Sequence, residues 1–211
     1  MKMILGSSNK GNFTSKVGEG GIREIPKQLM DEAIETLNQL AIEALICVGG
    51  DGSLSTAQQF FEAGFPVVGV PKTIDNDLAA TAMTFGFDSA CHSVVDALDR
   101  LQTTAESHKR VMVLEVMGRH AGWIALYGGI GGGACSILIP EIPFELEKVA
   151  ATIRQRDEDG FFHSLVVVAE GAAPVGGTQR YEQTKEDGES RLGGMGDEVA
   201  EQLAVLTGKE T

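Results

Sequence analysis

The sequence predicts an α/β fold of three layers, a mainly parallel sheet with helices on both faces. Three observations lead there. Short apolar runs alternate with longer segments of helical periodicity, the pattern of strand–loop–helix units. The apolar runs carry no polar alternation, as expected of strands covered on both faces. Nearly every run ends in glycine, proline or a polar cluster, and the 27 glycines of the 211 residues gather at these ends.

The elements follow in order. Residues 44–48 (ALICV) form an apolar run closed by Gly49-Gly50, and 53–63 reads as a helix with Ser53 near its N-cap. Residues 66–70 (PVVGV) make a second strand closed by Pro71. Residues 87–106 form a long helix with Val94, Val95, Leu98 and Leu101 on one face. Residues 111–116 (VMVLEV) are a third strand, 120–127 a helix, and 134–139 (ACSILI) a fourth strand. A helix over 144–156, a strand over 165–169 (LVVVA) and a helix over 196–206 complete the set. Residues 171–194 are polar and glycine-rich and read as a surface loop or excursion. Residues 1–21 show no clear periodicity, and the chain has no internal repeat at solenoid periods. Parallel crossovers set strand C-termini along one edge, so Gly49–Ser53, Lys72–Asp77, Met117–His120 and Glu170-Gly171 are expected to converge on one crevice.

Composition excludes several classes. The net charge of −13 argues against nucleic acid as a partner, since that needs a basic face. No apolar run reaches the ~18 residues of a membrane span, so no membrane partner is expected, and no signal peptide is evident. Cys47, Cys91 and Cys135 are odd in number and lack metal-ligand spacing, which indicates buried thiols and a cytoplasmic protein. In so acidic a chain an anion site must be local, built from a few cations, backbone N–H groups and a metal ion.

Three clusters have the chemistry for such a site. In Gly49-Gly50-Asp51-Gly52-Ser53 the glycines admit phosphate oxygens close to backbone N–H groups at a helix N-terminus. Asp51 would repel phosphates unless a magnesium ion lay between them. A tight strand-to-helix turn with an acidic cap is the plainer reading of the same residues. In Pro71-Lys72-Thr73-Ile74-Asp75-Asn76-Asp77, Asp75 can accept a proton from a sugar hydroxyl and Asp77 can orient it or hold the metal's outer shell. Thr73 can donate to a transferring phosphoryl group and Lys72 can neutralise it. An Asx-rich turn is the alternative here. In Met117-Gly118-Arg119-His120, Arg119 offers a fork to phosphate, Gly118 permits close approach of a sugar, and His120 reads as structural. Arg110 adds a cation beside the strand before it, and Glu170 can accept hydrogen bonds from sugar hydroxyls.

Together these blocks resemble the phosphofructokinases. GGDGS, PKTIDND, EVMGRHAGW, PEIPF and a strand ending AEG occur in the family's order and spacing, and the resemblance runs from ILGSSNKGNF to LTGKET. It implies phosphoryl transfer from ATP to the 1-hydroxyl of fructose 6-phosphate, a step of glycolysis. It makes Asp51 the magnesium ligand, with Gly50, Gly52, Ser53 and Lys10 at the donor's phosphates. Asp75 becomes the catalytic base, with Thr73, Lys72 and Arg119 acting on the transferred group. Thr73, Asp75, Asp77, Met117, Gly118, Arg119 and Glu170 bind the sugar, and Arg110 reaches into a neighbouring subunit's sugar site, which implies a homo-oligomer. Residues 1–127 are expected to form the donor-binding region and 128–211 part of the sugar-phosphate region. By the same resemblance, the family's first strand and a closing cation-rich motif are expected to lie outside these 211 residues. This length alone is therefore expected to be inactive or nearly so, with open strand edges that favour aggregation.

The donor is read from two positions. Gly52 favours ATP, because a carboxylate there would crowd and repel the α-phosphate, whereas Lys72 is typical of pyrophosphate users. ATP is preferred and pyrophosphate is the alternative, with an inactive fragment or regulatory paralogue as a further reading. Diacylglycerol and NAD kinases share the GGDG turn but lack PKTIDND and MGRH.

Overall fold

The computed structural model describes residues 24–79, 81–184 and 190–211. The chain divides into two compact units, one ending at Thr73 and including Leu78–Ala82, the other Ile74–Asp77 with Met83–Thr211. Strands on either side of position 127 share one sheet, so the expected functional boundary at 127/128 is not a boundary between compact units.

In the first unit, helix α1 (Lys27–Gln39) precedes strand β1 (Leu45–Gly49), helix α2 (Asp51–Glu62) and strand β2 (Val67–Thr73). The expected elements omit α1, although Met30, Ala33, Ile34 and Leu37 follow a helical period and pack with Phe60, Phe65, Leu45 and Val67. Strands β1 and β2 pair in parallel, with Leu45 opposite Val67 and Gly49 opposite Pro71. Two expectations are corrected. Helix α2 starts at Asp51 with Gly50 as its N-cap, rather than near Ser53, because the extended Gly50 already leads into the first turn. Strand β2 runs through Pro71 to Thr73 rather than stopping at Val70; proline keeps the extended geometry and only lacks the N–H donor. Ile46, Val48 and Val68 are exposed, so burial on both faces does not hold for this pair among the described residues.

The second unit realises the three-layer plan. It holds a short strand β3 (Phe85–Gly86), helix α3 (Phe87–His108), strand β4 (Val111–Val116), helix α4 (Trp123–Gly131), strand β5 (Ser136–Leu138) and helix α5 (Leu146–Glu158). Strand β6 (Ser164–Ala169), a two-stranded hairpin of β7 (Tyr181–Thr184) and β8 (Ser190–Leu192), and helix α6 (Met195–Thr207) follow. Strand β6 lies between β4 and β5, parallel to both. It is buried along its whole length, and its alternation divides it between two cores. Val166 and Val168 pack with Val149, Ile153, Val199 and Leu203 of α5 and α6. Leu165, Val167 and Ala169 pack with Leu98, Ala105, Ile124 and Ala125 of α3 and α4. An uninterrupted apolar run is what a strand with helices on both faces requires.

Residues 171–194, expected as a loop, contain the β7–β8 hairpin, and Leu192 is buried. Helix α4 begins at Trp123, so His120 stands in the turn before it rather than at a helix start. No described helix is long and apolar enough to cross a membrane.

Candidate active site

In the first unit, the apolar run of β1 ends in a turn that only glycine can make. A Cβ on Gly49 would lie 2.3 Å from Ser53 Cβ. A Cβ on Gly50 would come within 3.5 Å of Thr73 Cβ and 3.8 Å of the Lys72 carbonyl oxygen, so the loop sits against the end of β2. Asp51 occupies the first turn of α2 and is exposed. Thr56 Oγ1 donates to the Gly52 carbonyl (3.1 Å), which ties that glycine to the helix. The unit thus presents a helix start, one carboxylate, two hydroxyls and an ammonium: Gly50, Asp51, Gly52, Ser53, Lys72 and Thr73. Lys10 lies outside the described residues. No cluster of three or more metal-ligating side chains occurs among the described residues. A lone exposed Asp51 fits magnesium, which is held by one or two carboxylates with substrate phosphates and water rather than by a protein cage.

The chain passes from one unit to the other between Thr73 and Ile74, so Asp75 and Asp77 belong with the second unit. There β4 and β6 end in register, Val116 opposite Ala169, and place the next residues of each side by side. Glu170 is 8% exposed, and its Oε1 accepts from the backbone N–H groups of Gly118 (3.2 Å) and Arg119 (2.9 Å). The turn it holds is tight. Gly118 has φ 144°, and a Cβ there would meet the Ala121 carbonyl oxygen at 2.4 Å. A Cβ on Gly171 would lie 1.9 Å from the Arg119 carbonyl oxygen. Arg119 itself is left-handed, φ 52°, a conformation that costs a side-chain-bearing residue about 1 kcal/mol or more and has to be held by its surroundings. Asn76 is also left-handed, φ 54°, and its Oδ1 accepts from the backbone N–H of the buried Thr84 (2.9 Å), which fixes the loop carrying Asp75 and Asp77.

Electrostatics bring four of the expected residues together. The Asp75 carboxyl is pushed above its ordinary value first by burial, then by the neighbouring Asp77 charge; Arg119 opposes this and Glu170 adds to it. A raised carboxyl pKa beside an arginine suits a group that takes up a proton during the reaction. Met117 and Gly118 lie in the same turn. Arg110 does not join them. It precedes β4, and six residues at ~3.3 Å each, about 20 Å, separate it from Met117. Its guanidinium pairs instead with Glu210.

Two carboxylates that support this edge carry no signal in the sequence reading. Glu141 Oε1 accepts from Gly122 N–H (2.8 Å), and the two oxygens of Glu115 accept from Gly194 (3.1 Å) and Gly196 (2.7 Å) at the start of α6. Their partners lie 19, 79 and 81 residues away, beyond any local pattern.

Comparison with known proteins identifies the family. The family model described as Phosphofructokinase matches residues 3–211. An ATP-dependent 6-phosphofructokinase of Chloroflexus aurantiacus is 51% identical over 98% of this chain and 56% of its own length. A pyrophosphate–fructose 6-phosphate 1-phosphotransferase of Amycolatopsis methanolica is 48% identical over 99% of this chain and 58% of its own length. The crystal structure of a pyrophosphate-dependent phosphofructokinase from Marinobacter aquaeolei superposes with TM-score 0.71 at 30% identity, over 92% of this chain and 48% of that one. The chain belongs to the phosphofructokinase family, and it spans about half the length of the curated relatives it matches.

Proposed function

We propose that this chain supplies catalytic residues of a 6-phosphofructokinase that transfers a phosphoryl group from ATP to the 1-hydroxyl of fructose 6-phosphate. The observation that carries the reading is the Asp75–Asp77–Arg119–Glu170 cluster, in which a carboxyl of raised pKa lies in the field of an arginine on a strained turn.

Asp75 takes the proton of the 1-hydroxyl as its oxygen bonds to the γ-phosphorus; the bond from that phosphorus to the bridging oxygen breaks and ADP leaves. Arg119 offsets charge on the transferred group, and Lys72 and Thr73 contribute a cation and a donor to it. Asp77 keeps Asp75 basic through its charge. Met117, Gly118 and Glu170 contact the sugar, while Gly50, Gly52, Ser53 and Lys10 receive the donor's phosphates. Asp51 would hold magnesium, which neutralises donor phosphate charge when bound. Residues 1–127 then form the donor region and 128–211 part of the sugar region. Arg110 serves a neighbouring subunit of a cytoplasmic homo-oligomer, and the product feeds glycolysis.

Pyrophosphate is the second donor, favoured by Lys72 and by the name of one close relative. Steric access at Gly52 favours ATP. Turnover of fructose 6-phosphate by the intact protein with each donor tests the reading. Asp75→Asn should lower kcat by roughly 10²–10⁴-fold with either one. Wild-type turnover with neither donor, or an Asp75→Asn variant within twofold of wild type, overturns it.

A further inference from the structure

Glu170 holds the backbone of the Arg119 turn, and a second side chain ties the neighbouring residues together. Gln179, half-buried in the segment read from sequence as a surface excursion, donates from Nε2 to the Gly171 carbonyl (2.9 Å) and lies 3.3 Å from His120 Nδ1. Tyr181 donates its hydroxyl to Gln179 Oε1 (3.5 Å). These contacts fix which way the amide points. An oxygen toward the Gly171 carbonyl would set two acceptors face to face, so the nitrogen must point there, and Tyr181 meets the oxygen. An amide nitrogen only donates, so in this contact His120 Nδ1 is the acceptor. Gln179 thus joins the residue after Arg119 to the residue after Glu170.

We propose that Gln179 is a positioning residue, an amide clip that helps keep the Arg119 backbone left-handed by tying His120 to Gly171. The Arg119 N–H is held by Glu170, its carbonyl is crowded by Gly171, and the next side chain is held by Gln179. A left-handed arginine persists only where its surroundings over-determine it. Without the clip the turn relaxes and Arg119 leaves its place beside Asp75. The rate consequence rests on the reading above, in which Arg119 stabilises the transferred phosphoryl group; the structural consequence does not.

The test uses Gln179→Glu and Gln179→Ala in the intact protein. The glutamate keeps the shape but has no N–H to donate and faces the Gly171 carbonyl with an acceptor. Hydrogen–deuterium exchange over 118–121 should quicken by about tenfold in both variants, the loss of about one hydrogen bond, with exchange in α5 unchanged. kcat should fall by about tenfold while KM for the donor stays within twofold. Exchange over 118–121 within twofold of wild type in both variants overturns the proposal, as does faster exchange with an unchanged kcat. Faster exchange in a protein with no phosphofructokinase activity in any form supports the clip and removes the functional reading instead.

Discussion

Glu170 is where the energetics of the Arg119 turn can be measured most directly. The carboxylate is 8% exposed and accepts two backbone N–H groups on one oxygen, at 2.9 and 3.2 Å. Hydrogen bonds to a charged acceptor contribute about 1.5–3 kcal/mol each, against about 0.5–1.5 for neutral ones. Glu170→Gln keeps an acceptor of the same shape and should lose about 1 kcal/mol per bond, or roughly 2 kcal/mol. Glu170→Ala leaves both N–H groups unpaired at about 1–3 kcal/mol each, so its loss should be roughly 2–6 kcal/mol. Urea unfolding of the intact protein, followed by circular dichroism and compared at constant m, checks the order: wild type, then glutamine, then alanine. An alanine variant within about 0.5 kcal/mol of wild type, the scale of a neutral surface change, would refute the claim that Glu170 holds the turn. Equal losses in the two variants would show that the acceptor is not what matters.

Three further outcomes follow from the same contacts. Asp77→Asn removes a charge that raises the Asp75 pKa, so the acidic limb of the kcat/KM profile should move to lower pH, whereas Arg119→Gln removes the opposing charge and should move it to higher pH. A shift of the same sign in both refutes the electrostatic account. The folded state binds the Asp75 proton more tightly than the unfolded chain, so this group's contribution to stability falls as pH rises from 3.8 toward the raised value. Asp75→Asn should flatten that slope in pH-dependent unfolding. Gly171→Ala forces a Cβ to 1.9 Å from the Arg119 carbonyl, so the turn must open; activity should fall with a loss of about 1–3 kcal/mol in unfolding experiments.

Much of this chain is legible residue by residue. Residues 111–116 form a strand with the expected bounds because an apolar run between a helix end and Met117-Gly118 admits no other reading. LVVVA becomes the central strand because unbroken β-branched sequence fits only where helices cover both faces. Arg119 and Glu170 stand together because parallel strands that end in register deliver their next residues side by side, and both act on the Asp75 carboxyl along with Asp77. Other features escape a local reading. The strands β7 and β8 have no apolar alternation, and their pairing joins Tyr181 to Leu192 across the chain. The inclusion of Pro71 in β2 reflects its pairing with Gly49 across the sheet, not a propensity of its own.

Local chemistry and periodicity in the sequence determine which groups stand at the strand ends and which segments are helix or strand, because both are properties of neighbours along the chain. Only the tertiary structure decides which backbone each carboxylate holds. Glu170 reaches Arg119 across 51 residues and Glu115 reaches Gly196 across 81. The same structure sets Arg110 at the far end of β4 from Arg119, paired with Glu210. Those pairings depend on strand order and on buried N–H groups finding an acceptor, and neither is written in any short stretch of residues.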